Sequence, residues 1–181
     1  ITEAMHWLEK NYVKDGFFLW IDSWDPHEPW DPPRYYVDMY DPGWEGDEII
    51  YPCYGFSNYM TDEELNHTKA LYAAEVTMVD RWIGMLWDTI DVLGLKEKTV
   101  VVLMADHGHY FGDHGLQGKP WANWGQLYEP MIHIPFMVYD PEGSGKGQRT
   151  TSLVQPVDLF PTLCDLAGLD IPDGIQGSSF A

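Results

Sequence analysis

Residues 99–115 read TVVVLMADHGHYFGDHG, and this stretch decides the fold class. Its first part, Thr99 to Ala105, is apolar and rich in valine, which is typical of a strand buried on both faces of a sheet. The residues that follow are polar and punctuated by glycine for more than ten positions. Such a segment is a poor design for a simple connector, so we expect a buried strand that ends at a functional loop.

The segments on either side alternate between helical and strand patterns. Thr61 to Glu64 match a capping box, and apolar residues then recur every three or four positions up to Gly94, which predicts one long helix. The predicted elements are helices over residues 1–14, 62–93 and 158–167 and strands over Phe17–Asp22, Thr99–Ala105 and Ile134–Tyr139. This order predicts one α/β unit with a mostly parallel sheet, right-handed crossovers and flanking helices.

The composition limits the classes of partner. Ten Lys and Arg residues against 29 Asp and Glu residues give a formal charge of −19, which repels nucleic acids and anionic membranes. Cys53 and Cys164 are far apart, so neither a disulfide scaffold nor a zinc knuckle is indicated. No apolar run approaches the roughly 18 residues of a membrane span. We expect no nucleic-acid or membrane partner, and both cytoplasm and periplasm stay open as compartments.

Two polar clusters follow two of the predicted strands. Asp25-Pro26-His27 comes after the first strand, and Asp106-His107-Gly108-His109 comes after the second. In an open parallel sheet, ligands bind outside the carboxyl ends of the strands. The two clusters are therefore expected to face one crevice, which predicts an active site.

Four residues carry the chemistry predicted for this crevice. Asp106 offers a carboxylate and His107 an imidazole, a pair that suits a divalent metal ion. Lys119 can supply a point charge to sulfate or phosphate, and His27 can donate to a leaving-group oxygen. Taken singly, each residue also fits an ordinary role, such as a turn cap for Asp106 or a solvated surface position for Lys119.

Three strings resemble segments of the sulfatase family, which includes arylsulfatases and phosphonate monoester hydrolases and belongs to the alkaline phosphatase superfamily. The string FFLWIDSWDPHEPWDPP at 17–33 is similar to the family segment in which a strand runs into DPHxPxxPP. Residues 72–115, with LGLKEKTVVVLMADHG and GDHG, and residues 153–177, with VDLFPTLCDLAGLDIPDGIQG, resemble the later family segments. Together the strings cover nearly the whole chain in the family's order.

The resemblance implies a metal-dependent hydrolase of sulfate esters, whether of small molecules or of glycans. It implies one divalent cation, calcium in most sulfatases, held partly by Asp106 and His107, and it places His27 and Lys119 among the residues that contact the sulfate. His107 stands where relatives carry Asn or His, and an imidazole is a softer ligand than an amide oxygen. Manganese or zinc is therefore also compatible with this position.

The chain departs from the family in its nucleophile. No Cys-x-Pro-x-Arg or Ser-x-Pro-x-Arg segment is present, and that motif supplies the formylglycine nucleophile of sulfatases. Residues 1–181 are therefore expected to be the C-terminal part of one sulfatase catalytic domain, with the nucleophile-bearing half outside this chain. By itself, the chain is expected to have no turnover, and an exposed sheet edge could make it self-associate.

Two alternatives remain beside a sulfatase. Relatives that cleave phosphonate monoesters or phosphodiesters share the motifs, and a two-zinc phosphatase is a further variant that would need a second set of Asp and His ligands. The alternative of another class is a noncatalytic carbohydrate-binding module, in which the Trp- and Tyr-rich loop at 20–59 would stack on sugars. Aromatic residues in such a loop more often form a local hydrophobic core, and we favour that interpretation.

Overall fold

The computed structural model describes residues 1–119, 126–143 and 145–181, which form two compact units. The first unit comprises Ile1–Glu97 and His107–Ile134, and the second comprises Lys98–Asp106 and Pro135–Ala181. Each unit contains both helices and strands, so the α/β class predicted from the sequence is confirmed.

The first unit is organised around one long helix. Its helices are α1 (Thr2–Asn11), α2 (Arg34–Val37), α3 (Asp62–Val92) and α4 (Glu129–Ile132), and its strands are β1 (Gly55–Phe56), β3 (Tyr110–Phe111) and β4 (Leu116–Gly118). The capping box of α3 is formed as predicted, because the Glu64 N–H donates to Thr61 Oγ1 at 3.2 Å and the Thr61 N–H donates to Glu64 Oε2 at 2.7 Å. The prediction of a helix over 62–93 is thus confirmed to within one residue.

The aromatic loop before α3 folds back onto this helix. Trp30 is completely buried and packs with Tyr36 and Val37 against Leu71 and Ala74 of α3. The Trp30 indole N–H donates to the carbonyl of Pro26 at 3.0 Å, so the ring satisfies its only donor in the core. At this position the preference for a local hydrophobic core over a sugar-stacking loop is therefore correct.

A buried histidine connects the same loop to α3 a second time. Nδ1 of His67 lies 2.7 Å from Asp41 Oδ2, and its Nε2 lies 3.0 Å from Glu48 Oε2. The Trp44 ring stacks on this imidazole with a centroid distance of 4.4 Å. Polar contacts at both ring nitrogens compensate for the burial of His67 and fix the loop in place.

The first unit also contains a small sheet that the sequence did not predict. Its strand order is β1-β4-β3, and both ladders are antiparallel, with Gly55 opposite Gln117 and Tyr110 opposite Gly118. The strands have only two or three residues each, which is too short for a periodic pattern in the sequence. This sheet holds the segment that leads into Lys119.

The second unit contains the strongly apolar strand β2 (Val101–Met104), strand β5 (Phe136–Tyr139) and helix α5 (Leu159–Leu166). The predicted strands at 99–105 and 134–139 are confirmed, with shorter bounds. They pair antiparallel, with Val101 opposite Tyr139 and Met104 opposite Phe136. The two ladders of the first unit are antiparallel as well, so no ladder in the described residues shows the parallel pairing that we expected. Between two parallel strands the chain must cross back from the end of the first strand to the start of the second, at the opposite end of the sheet. Here the residue before β5 lies beside the end of β2, because the Ala105 N–H donates to the Pro135 carbonyl.

The prediction of a strand over Phe17–Asp22 is wrong for the described part of the chain. These residues join no ladder there, and the side chains of Phe18 and Trp20 are 71% and 63% exposed. The apolar composition predicted burial, which Phe18 and Trp20 do not show here, and a strand also requires a neighbouring backbone to pair with. None of the described segments supplies that backbone.

No helix in the described ranges has the length and apolarity that crossing a bilayer requires.

One buried carboxyl group on α3 links stability to pH. Glu75 is 2% exposed, and its Oε2 accepts no hydrogen bond from the described residues. Burial, followed by the negative charges of Asp25 and Asp31, raises the pKa of Glu75 from the ordinary 4.5 to about 7. Between these two values the folded state binds more protons than the unfolded state, so stability falls as the pH rises through this window.

We predict that Glu75→Gln removes this loss, because the amide cannot ionise. The variant should become more stable relative to wild type as the pH rises, and the gain above pH 7 should approach about 3 kcal/mol. Urea denaturation at pH 5 and pH 8 measures the difference, and exposed Glu63→Gln on the same helix is the control. If the free energy of unfolding depended equally on pH in wild type, Glu75→Gln and Glu63→Gln, Glu75 would be ionised at pH 5 as well as at pH 8.

Candidate active site

His27 lies in a tight turn that orients its ring. The His27 N–H donates to the Trp24 carbonyl at 3.0 Å, and the Trp24 ring lies against the imidazole with a centroid distance of 4.2 Å. His27 Nδ1 lies 2.6 Å from the carbonyl oxygen of Glu28, which can only accept a hydrogen bond. The proton of the neutral ring is therefore on Nδ1, and the lone pair is on Nε2.

Lys119 follows β4 and reaches this ring. Its Nζ lies 2.5 Å from His27 Nε2, although the two residues are 92 positions apart in sequence. The ammonium therefore donates to the imidazole lone pair. Nζ also lies 5.6 Å from the centre of the Tyr54 ring, on whose face a cation is favoured.

Gly118 makes this position of Lys119 possible. It has φ of +89°, and a Cβ atom there would lie 2.4 Å from Cδ1 of the Tyr54 ring. Only glycine combines this backbone conformation with so close an aromatic neighbour. The ring of Tyr54 can consequently pack against the backbone immediately before Lys119.

Glu28 completes a charged cluster around the pair. Its side chain is 2% exposed, with Oε1 3.5 Å from Lys119 Nζ and Oε2 3.5 Å from His27 Nδ1. Glu28 was not among the site residues predicted from the sequence. In the sequence, only its position beside His27 in the segment DPHEP at 25–29 points to a functional role. A glutamate in a loop is usually solvated.

His109 forms a neutral wall beside the cluster. Burial, followed by the nearby side chains of Lys119, His107 and His27, lowers its pKa to about 3. Its ring packs against Trp30 and Phe111 at centroid distances of 5.0 and 4.6 Å. His109 therefore contributes shape and low polarity instead of a titrating group at neutral pH.

The backbone of the next residue fixes the tautomer of His107. Its Nδ1 lies 2.8 Å from the Gly108 carbonyl, an arrangement that places the proton on Nδ1 and the lone pair on Nε2. Gly108 is held against α4, because its N–H donates to the Met131 carbonyl at 2.8 Å and a Cβ atom would lie 1.9 Å from the Pro130 carbonyl oxygen. The backbone of Gly108 thus approaches α4 too closely to leave room for a side chain.

His27 and Lys119, two of the four predicted site residues, are in direct contact. Both lie in the first unit, which also contains His107, whereas Asp106 belongs to the second unit, where it is exposed two residues after β2. Among the described residues, no group of three or more His, Cys, Asp or Glu side chains is arranged to hold a metal ion. The assignment of Asp106 and His107 as metal ligands therefore stays a prediction.

The contact between a lysine ammonium and an imidazole lone pair, walled by aromatic rings, is suited to binding an oxyanion and to moving a proton. The fold and this contact define an α/β protein with a candidate oxyanion site. The Sulfatase family model matches residues 1–169, and the chain belongs to the sulfatase family.

Similar proteins have the same family assignment. The chain is 29% identical to an arylsulfatase of Clostridium perfringens and 31% identical to an ulvan-active sulfatase of Formosa agariphila, over 99% and 100% of its own length. It spans 40% and 34% of the length of those relatives. Among solved structures, the phosphonate monoester hydrolase of Agrobacterium radiobacter matches 99% of the chain with a TM-score of 0.82 at 25% identity, and the chain covers 40% of that structure. The alkaline phosphatase-like fold is thereby confirmed.

We predict that Gly118→Ala destabilises the protein more than Gly115→Ala. Both glycines have positive φ, but a Cβ atom at Gly115 would meet nothing within 4 Å, whereas at Gly118 it would overlap the Tyr54 ring. Gly115→Ala should cost about 1 kcal/mol of backbone strain, and Gly118→Ala should cost a further 1–3 kcal/mol or so from the overlap. Urea denaturation of the two variants measures the difference.

A double variant identifies the source of this cost. If the overlap is responsible, Tyr54→Ala should make Gly118→Ala markedly less destabilising than it is in the wild-type background. Additive costs would contradict the packing of Tyr54 against Gly118.

Proposed function

We propose that the protein is a sulfatase-type hydrolase of sulfate esters, in which His27 and Lys119 bind the ester group and protonate its leaving oxygen. The observation that carries the proposal is the 2.5 Å contact between His27 Nε2 and Lys119 Nζ in a chain of the sulfatase family. The sulfated substrate is a small molecule or a glycan. Family membership favours this hydrolase over a noncatalytic carbohydrate-binding module.

The pair fits the charge changes of ester cleavage. A sulfate ester is an anion, and its leaving oxygen gains negative charge as the bond to sulfur breaks. Lys119 offers a full positive charge and three N–H donors, and one of these donors is directed at His27. The proton for the leaving oxygen is the one that Lys119 Nζ directs at Nε2 of His27. Its transfer to Nε2 leaves a neutral amine on Lys119 and an imidazolium on His27, and the Nε2–H of that imidazolium can then protonate the leaving oxygen.

The chain also contributes residues suited to a divalent cation. His107, with its Nδ1 proton directed at the Gly108 carbonyl, has the tautomer that a metal ligand requires, and Asp106 offers carboxylate oxygens. When bound, the cation would supply positive charge to the ester and to the nucleophile. Calcium is favoured by family resemblance, and manganese or zinc is compatible with an imidazole ligand.

The nucleophile of the proposed reaction is a formylglycine outside residues 1–181, because neither cysteine of this chain has the Pro and Arg that the modification motif requires. We propose that residues 1–181 are one part of a single catalytic domain. The nucleophile then attacks from the part that this chain does not contain.

A phosphonate monoester hydrolase is the second candidate. The observation that favours it is the TM-score of 0.82 to the enzyme of that type from Agrobacterium radiobacter. Sulfate and phosphonate esters share a tetrahedral oxyanion, so both can occupy a site built from Lys119 and His27. Parallel assays with aryl sulfates and aryl phosphonates separate the two candidates.

We predict that His27→Gln and Lys119→Met in the full-length protein that contains this chain lower ester hydrolysis differently. Loss of a general acid should cost about 10²–10⁴-fold in kcat/KM for poor leaving groups and much less for 4-nitrophenyl sulfate, which needs little protonation. Loss of the Lys119 charge should lower kcat/KM for every ester. Steady-state kinetics with a series of aryl sulfates measures both effects.

Two controls accompany this experiment. His133→Gln and Lys146→Met change the same residue types at exposed positions and should leave the kinetics unchanged. Residues 1–181 alone should show no turnover because they contain no nucleophile. If His27→Gln lowered kcat/KM by the same factor for every leaving group, the general-acid role would be contradicted.

A further inference from the structure

Glu28 is the least expected residue in the cluster. Its carboxylate is buried beside His27 and Lys119, and Oε1 accepts no hydrogen bond from any residue in the described ranges. Burying a carboxylate is unfavourable, and ion pairs repay that cost only when the geometry is good and the lone pairs are satisfied. The 3.5 Å separations to Lys119 and His27 fall short of hydrogen bonds, so Glu28 is a poor choice for stability alone.

The position of the carboxylate suggests what it does instead. Oε1 faces the Lys119 ammonium and Oε2 faces the protonated nitrogen of His27, while Nε2 of His27 faces Lys119. The negative charge therefore lies beside both members of the pair. There it attracts the proton that the pair shares, whether that proton is on Lys119 Nζ or on His27 Nε2.

We propose that Glu28 is a positioning residue whose negative charge holds the proton shared by Lys119 and His27 in place for the leaving oxygen, at the expense of affinity for the anionic ester. The inference rests on the function proposed above. With neutral His27, the charges of Lys119 and Glu28 cancel, so an arriving anion meets less attraction than Lys119 alone would provide. The same negative charge stabilises the imidazolium that forms when the Lys119 proton passes to Nε2, which is the state from which the leaving oxygen is protonated.

These opposite effects predict a divergence between kcat and KM. In the full-length protein, Glu28→Gln keeps the shape of the side chain but removes its charge. KM for aryl sulfates should stay the same or fall, while kcat should fall by about tenfold or more for poor leaving groups, the effect of at least one lost charge interaction. With 4-nitrophenyl sulfate the loss of kcat should be smaller.

Two further variants separate this role from a structural one. Glu28→Asp keeps the charge and should retain more of kcat for poor leaving groups than Glu28→Gln. Glu129→Gln removes an exposed carboxylate that pairs only with His133 among the described residues, and it should behave as wild type. A rise in KM with an equal loss of kcat for every leaving group would show a merely structural role and overturn the proposal.

A binding measurement keeps this inference distinct from the proposed function. Inorganic sulfate should bind to Glu28→Gln about tenfold more tightly than to wild type, because a negative charge a few ångströms from the anion site has been removed. Isothermal titration calorimetry measures this without turnover. Tighter sulfate binding in a protein that hydrolyses no ester would refute the proposed activity and support the charge effect of Glu28, whereas unchanged or weaker binding would refute the inference.

Discussion

The contact between Lys119 Nζ and His27 Nε2 is the interaction on which the site depends. It joins two loops 92 residues apart, and each loop has its own local support. On one side, the Glu28 carbonyl fixes the tautomer of His27; on the other, Gly118 lets the chain pass Tyr54 closely enough for Lys119 to arrive. Without either support, the ammonium and the lone pair would not meet.

The surroundings of Lys119 let its ammonium group attract an anion although the protein is strongly acidic. The chain carries a formal charge of −19, so its overall field repels an anionic ester. The attraction must therefore be local, and it gains from partial burial of the pair, since the side chains of His27 and Lys119 are 25% and 21% exposed. Fewer water molecules mean weaker screening of Lys119. The buried carboxylate of Glu28 then adjusts how much of that charge an incoming ester feels.

The sequence predicted what local patterns encode. The helix Asp62–Val92 and the strand Val101–Met104 have strong periodic or apolar signals, and both were found. The prediction of a strand over Phe17–Asp22 was wrong, because strand pairing depends on a backbone segment that can be distant in sequence. Among the described residues His27 therefore does not follow a strand, although its predicted position assumed that it does. The contact of His27 with Lys119 nevertheless agrees with the family resemblance. Glu28 was missed because a sequence shows its charge but not its burial.

The protonation of the His27 ring tests the central claim most directly. A long-range ¹⁵N–¹H spectrum of the full-length protein, recorded where the ring is neutral, shows which nitrogen carries the proton. The account predicts a protonated Nδ1 and a bare Nε2 that accepts from Lys119, and Lys119→Met should shift the Nε2 resonance toward that of a free lone pair. A proton on Nε2, or a resonance unaffected by Lys119→Met, would contradict the contact from which the proposed function is derived.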